Sequence, residues 1–143
     1  MVDVLRNVPV REHDPKIRVT NFEEVCYGYN QDEAIEEAAR CMHCKNAKCI
    51  RGCPVKINIP EFITKVKENN IREAYQIISE SSSLPAICGR VCPQESQCEG
   101  KCIRGIQGEP VSIGKLERFV AEWACKNKII PTSAVRKTGH KVA

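Results

Sequence analysis

Cysteine placement constrains this chain more than any other feature. It carries ten cysteines in 143 residues, and eight of them fall into two quartets. Cys41, Cys44, Cys49 and Cys53, followed by Pro54, read C-x2-C-x4-C-x3-C-P. Cys88, Cys92, Cys98 and Cys102, with Pro93 after the second, read C-x3-C-P-x5-C-x3-C. Eight thiols at such spacing leave little room for long strands or uninterrupted helices around them, so irregular ligand-bearing loops are expected.

Soft thiolates suit zinc or iron–sulfur clusters. Structural zinc sites usually bring two short Cys pairs separated by a longer insert. Bacterial two-cluster ferredoxins instead use C-x2-C-x2-C-x3-C-P, where three close cysteines hold one cluster and the cysteine before proline reaches the other. The first quartet follows that logic with a middle spacing longer by two residues. The spacing therefore favours iron–sulfur clusters, with structural zinc as the alternative. Disulfides are disfavoured. The stretch "MVDVLRNVPVREHD" lacks the apolar run of a signal peptide, and no segment is long enough to span a membrane. A cytoplasmic, reducing setting is expected, where clustered cysteines bind metals or do chemistry. Cys26 and Cys125 stand apart and read as ordinary packed thiols.

The formal charge of +4 counts every cysteine as neutral. Metal-bound thiolates would offset that excess. Lys45, Lys48, Arg51 and Lys56 surround the first quartet without interleaved aromatics, which argues against nucleic acid. Aromatics make up only 5% of the chain, so the core must come mostly from Ile, Val, Leu and Ala.

Residues 1–30 read as an extended arm, because Pro9 and Pro15 interrupt helix and no period is sustained. Asn30 with Glu33 has capping-box spacing. The helix it opens carries Ile35, Ala38, Ala39 and Met42 on one stripe and leads into Cys41 and Cys44. A second helix near Pro60 has the stripe Ile59, Phe62, Ile63 and Val66. A third has Ile71, Ala74, Tyr75 and Ile78, and together they predict a helical hairpin. Ser81–Ser83 reads as a turn. Ser112 is a candidate cap for a last helix with Leu116, Phe119, Val120 and Trp123 on its stripe. After Lys128 the chain reads as extended, and Lys141–Ala143 as the opening of a strand. Period-2 alternation is nearly absent before that point, so the fold class is all-α.

Three stretches carry a family resemblance: "RCMHCKNAKCIRGCPVKINIPEFI", "CGRVCPQESQCEGKC" and "EPVSIGKLERF". They resemble the N-terminal iron–sulfur domain of the NADPH-dependent glutamate synthase small (beta) subunit. The NADH-dependent ferredoxin:NADP oxidoreductase large subunit and the dihydropyrimidine dehydrogenase N-terminal domain are similar. The resemblance implies an α-helical ferredoxin with two [4Fe–4S] clusters over residues 31–128. Residues 1–30 would be its arm, and residues 129–143 a linker toward a flavin domain outside this sequence. It implies Cys41, Cys44, Cys49 and Cys102 on one cluster. Cys53, Cys92 and Cys98 would hold the other, with Glu117 as its fourth ligand, leaving Cys88 a non-ligand. Sequence supports Glu117 independently: Ile113, Gly114, Val120 and Ala121 are its helical neighbours, and none is basic. Glu122, by contrast, has Arg118 and Lys126 one turn away on either side.

The implied function is electron transfer between that flavin and a large or ferredoxin-like partner subunit, with FAD and NADP(H) held on the remaining part. The chain has no G-x-G-x-x-G and no identifiable nicotinamide site, and "GIQG" at Gly105–Gly108 is a loop signal. His13, His43 and His140 read as solvent-facing or locally bonded. His43 lies between two of the implied ligands, where it can tune a cluster.

Overall fold

A computed structural model describes residues 5–131 and Gly139. The expected strand at Lys141–Ala143, His140 and most of the 129–143 linker lie outside these residues. The architecture is seven helices with one small antiparallel ladder among the described residues. No helix among them is long and apolar enough to cross a membrane.

The arm is less uniform than its sequence implies. β1 (Arg11–Glu12) pairs antiparallel with β2 (Cys26–Gly28), and a one-turn helix α1 (Pro15–Arg18) lies between them. Pro15 starts α1 rather than breaking it, since a first-turn proline forfeits no hydrogen bond. Asp14 caps α1 by accepting from the Lys16 N–H at 2.8 Å.

The capping box appears as expected at α2 (Gln31–Ala39). Asn30 Oδ1 accepts from the Glu33 N–H at 2.9 Å, and Glu33 Oε2 accepts from the Asn30 N–H at 2.7 Å. The buried face of α2 differs from the predicted stripe. It is Ala34, Glu37 and Ala38; α2 ends before Met42, whose side chain is exposed. The cause is an ion pair inside the core. Glu37 Oε1 accepts from Arg40 Nη1 at 2.5 Å, and both side chains are fully buried. Glu37 also accepts from the Ser112 N–H at 2.8 Å and the Val8 N–H at 2.7 Å. Arg40 donates to the carbonyls of Pro110 and Glu109. One charge pair thus ties together the arm, α2 and the segment before the last helix.

α3 (Lys48–Gly52) is short. α4 (Ile59–Lys67) and α5 (Ile71–Ser79) form the hairpin the sequence predicts. Ile59, Phe62, Ile63, Val66, Ile71, Ala74 and Ile78 are buried, and each large apolar side chain contributes about 1.5–3 kcal/mol. Asn69 makes the turn in the left-handed region at φ 59°, which Asn tolerates, and Asn70 caps α5. α6 (Pro85–Val91) packs against α7 (Ile113–Lys126), which buries Leu116, Phe119 and Val120 and half-buries Trp123. Ser112 stands at the N-cap of α7 but its side chain makes no cap bond. Glu99 serves that end instead, accepting from the Gly114 N–H at 2.9 Å, where an acid complements the helix dipole.

Candidate metal centre

The first thiol group assembles from three places. Cys41 leaves the end of α2, Cys44 lies in the following loop, and Cys49 is on α3. Cys102 joins them from the junction of two 3-10 turns, Glu99–Lys101 and Ile103–Ile106. All four line one cavity whose walls include Ile59, Ile63, Val111 and Ile113. Burial pushes the Cys49 thiol up to about 11, and the Cys102 and Cys41 thiols beside it add to the rise. Cys41 is raised as well, chiefly by burial, with Cys102 and Cys44 as charged neighbours if ionised. A pocket that resists lone thiolates gains most from a cation able to hold them deprotonated.

The second group forms at the other end of α3. Cys53 follows that helix, Cys92 closes α6, and Cys98 precedes the first 3-10 turn. Glu117 reaches the group from α7. Burial pushes Cys98 up to about 12, with Glu99, Cys53 and Glu117 adding to the rise. Cys92 is raised by burial and then by Cys88, Glu117 and Cys53. Glu117 is 7% exposed, and its Oε1 is buried with no hydrogen-bond partner. Burial alone pushes its carboxyl up to about 7. A buried carboxylate oxygen without a donor is costly. A metal beside it would supply the missing partner, so these residues fit a metal group.

Two glycines permit this convergence. A Cβ on Gly52 would sit 2.5 Å from the Gln97 carbonyl oxygen, so the end of α3 abuts the turn that carries Cys98. A Cβ on Gly89 would sit 2.7 Å from the Arg118 nitrogen and 2.8 Å from the Gly114 carbonyl oxygen. Only a bare backbone lets α6, with Cys88 and Cys92, lie this close to the turn bearing Glu117.

Cys88 lies next to Cys92, and its sulfur accepts a long hydrogen bond from Ser82 Oγ at 3.9 Å. Cys26 is half-buried, whereas Cys125 is exposed rather than packed, because it falls on the outer face of α7. His13 is bonded to the Tyr27 hydroxyl at 2.9 Å, and His43 to Thr64 Oγ1 at 3.1 Å. Thr64 itself donates to the Pro60 carbonyl, so the His43 Nδ1 is the donor in that pair. Sequence reasoning missed the Glu37–Arg40 pair, the anchor immediately before Cys41. Its acid lies in a Glu-rich helix that reads as solvated; the flanking alanines at 34 and 38 were the available sign that this face turns inward.

Among the described residues, no three His, Cys, Asp or Glu side chains close around a single ion. Cys41, Cys44, Cys49 and Cys102 are instead gathered around one shared cavity, as a polynuclear cluster with one thiolate on each iron requires. The residues define an iron–sulfur protein. The chain belongs to the family described as dihydropyrimidine dehydrogenase domain II, 4Fe-4S cluster, which matches residues 18–129. It is similar to the glutamate synthase (NADPH) small chain of Escherichia coli (strain K12), 37% identical over 129 residues, covering 90% of this chain and 27% of the relative. The same protein of Halomonas elongata is 37% identical over 123 residues, covering 86% of this chain and 26% of the relative. The NAD-dependent dihydropyrimidine dehydrogenase subunit PreT of Escherichia coli (strain K12) is 39% identical over 90 residues, 63% of this chain and 22% of the relative. The chain thus spans about a quarter of the length of these relatives. It is an iron–sulfur domain of oxidoreductase type, and the zinc alternative falls away with that match.

Proposed function

We propose that the chain holds two [4Fe–4S] clusters and serves as the electron relay of an NAD(P)H-dependent oxidoreductase in the cytoplasm. Cys41, Cys44, Cys49 and Cys102 hold the first cluster, and Cys53, Cys92, Cys98 and Glu117 hold the second. When bound, such clusters carry single electrons. The observation that carries the reading is Glu117 Oε1, a buried oxygen without a partner on the side chain that neighbours Cys92 and Cys98.

The chain's own residues do the positioning. Cys53 crosses from the first quartet to the second group, and Cys102 crosses back. The two halves of the domain are thereby tied, and the two groups are held at opposite ends of one five-residue helix. Ile59, Ile63, Val111 and Ile113 keep water from the first group. In this reading residues 1–30 form an arm, residues 31–128 the cluster domain, and residues 129–143 a linker toward a flavin domain. FAD and NADP(H) belong to that domain, and the electrons continue to a large or ferredoxin-like partner subunit, as in glutamate synthesis.

Anaerobic purification with metal and sulfide counting tests this. About eight irons and about eight sulfides per chain are expected, in brown protein. Colourless protein with zinc and no sulfide would overturn the reading.

A further inference from the structure

α6 brings Cys88 and Cys92 to the second group, yet Leu84, Ile87 and Val91 along it are exposed. Among the described residues no apolar cover presses this short helix onto α7 from outside. Its placement rests on the inner contact at Gly89 and on charge. Arg90 lies between Cys88 and Cys92, and Arg118 directly follows Glu117. Both guanidinium groups meet the same two carboxylates. Arg90 Nε donates to Glu24 Oε1 at 2.8 Å, and Arg90 Nη2 donates to Glu24 Oε2 at 3.3 Å. Arg118 Nη2 stands 3.0 Å from Glu24 Oε1. On the other side, Glu122 Oε1 accepts from Arg90 Nη2, and from Arg118 Nε at 2.7 Å. Glu24, Arg90, Glu122 and Arg118 thus close a ring of alternating charge.

Three members of the ring belong to α6 and α7, whereas Glu24 belongs to the arm, just ahead of β2. The arm is fixed at that point. The His13 N–H donates to the Val25 carbonyl at 2.9 Å, and Arg118 Nη2 donates to the Cys26 carbonyl at 2.8 Å. β2 lies so near that a Cβ on Gly28 would sit 3.3 Å from Arg118 Nε. The Arg90 hydrogen bond, with the Arg118 charge behind it, holds the Glu24 carboxyl below its ordinary value, so the group is ionised at neutral pH. A single exposed ion pair does little. This ring differs in two ways. The Arg118 side chain is only 9% exposed, and the two-pronged Arg90 contact fixes an angle as well as a distance. Without Glu24, two guanidinium groups would share the one carboxylate of Glu122.

We propose that Glu24 is a positioning residue for the second cluster: by bridging Arg90 and Arg118, it holds Cys92 at the end of α6 in register with Glu117 on α7. The proposal rests on the ligand set given above, and it gives the arm a task at a group to which it contributes no ligand.

The test uses the full chain loaded with iron and sulfide. Iron release to the chelator ferrozine is followed in time, and each cluster's paramagnetic resonance signal is recorded after reduction. Glu24→Gln should speed release from the second cluster roughly tenfold and broaden its signal, while the first cluster keeps its rate and its signal. Arg90→Lys keeps the charge but loses the fork, and should reproduce the effect. Glu23→Gln removes the same charge one residue away, from a side chain 72% exposed that reaches only His13 at 3.8 Å, and should behave as the parent chain. Glu24→Gln that matches Glu23→Gln, Arg90→Lys that matches the parent, or equal change at both clusters would overturn the positioning role. In a chain that loads both clusters, any of these results defeats only this proposal, whereas a chain that takes up no iron defeats the relay reading itself.

Discussion

The group at Cys41, Cys44, Cys49 and Cys102 is walled by aliphatic side chains; the group at Cys53, Cys92 and Cys98 has a buried carboxylate for a neighbour. Both draw on the same two quartets, and burial is the chief cause that raises Cys41 and Cys49 in the one and Cys92 and Cys98 in the other. They differ in what completes them. Four thiols meet in the first cavity. The second gathers three thiols with Glu117, while Cys88, the thiol that spacing alone would have added, also touches Cys92 and already has Ser82 as a partner. In the proposed ligand set, cysteine count does not equal ligand count, and the helix that brings Glu117 to the group has as much say as the quartet.

The supports differ too. The first group hangs from the Glu37–Arg40 pair, whose bonds reach the arm and the segment before α7, and Arg104 Nε also donates to the Arg40 carbonyl at 2.9 Å. The second depends on close backbone approach at Gly89 and Gly52. An ion pair and a bare backbone fail in different ways, and this separates the two regions experimentally.

Removing a crossover ligand should have the largest effect. Cys102→Ser should cost roughly half of the iron by chemical assay, taken from the first cluster, with the second cluster's spectrum retained. Complete loss of iron would mean that the two groups load as one unit and the comparison fails. Arg40→Met comes next. It leaves Glu37 buried without its cation, and should lower unfolding stability by about 3–5 kcal/mol in denaturant titration. Its spectroscopic effect should fall on the first cluster.

The cluster-free chain gives a pH test confined to the second group. Glu117 has its carboxyl raised from 4.5 to about 7 by burial. The protonated form is thus favoured in the folded state. Its contribution to stability is fully present below pH 4.5 and is lost as pH rises through about 7. Metal-free protein should therefore lose stability across that window, and Glu117→Gln should flatten the loss; equal pH profiles would contradict the burial of Glu117. Gly89→Ala should have the smallest effect, about 1–3 kcal/mol, because its Cβ forces α6 off α7. It should broaden the second cluster's signal and spare the first.

Much of the scaffold was legible in sequence because it is local. The Asn30–Glu33 box and the stripes Ile59, Phe62, Ile63, Val66 and Ile71, Ala74, Ile78 need only neighbours within a helix turn or two. The place of Glu37 on the inward face of α2 was hinted at only by Ala34 and Ala38. Glu37 turns inward only because Arg40, Ser112 and Val8 meet it, and two of those are far away in sequence. The β1–β2 ladder was missed because its strands are too short to show alternation. Glu117 could be singled out because its helical neighbours offer it no cation, while the same rule assigns Glu122 to Arg118, which it meets at 2.7 Å. The exposure of Cys125 depends on which part of α7 is covered, a tertiary fact.

The central claim is the asymmetry between the two groups, and electron paramagnetic resonance of the reduced, loaded chain tests it most directly. Glu117→Ala should alter one cluster's signal and leave the other intact, whereas Cys88→Ser should leave both unchanged. Loss of a signal in Cys88→Ser with none in Glu117→Ala would contradict the account, because the eighth ligand would then be the thiol and the two groups would be alike.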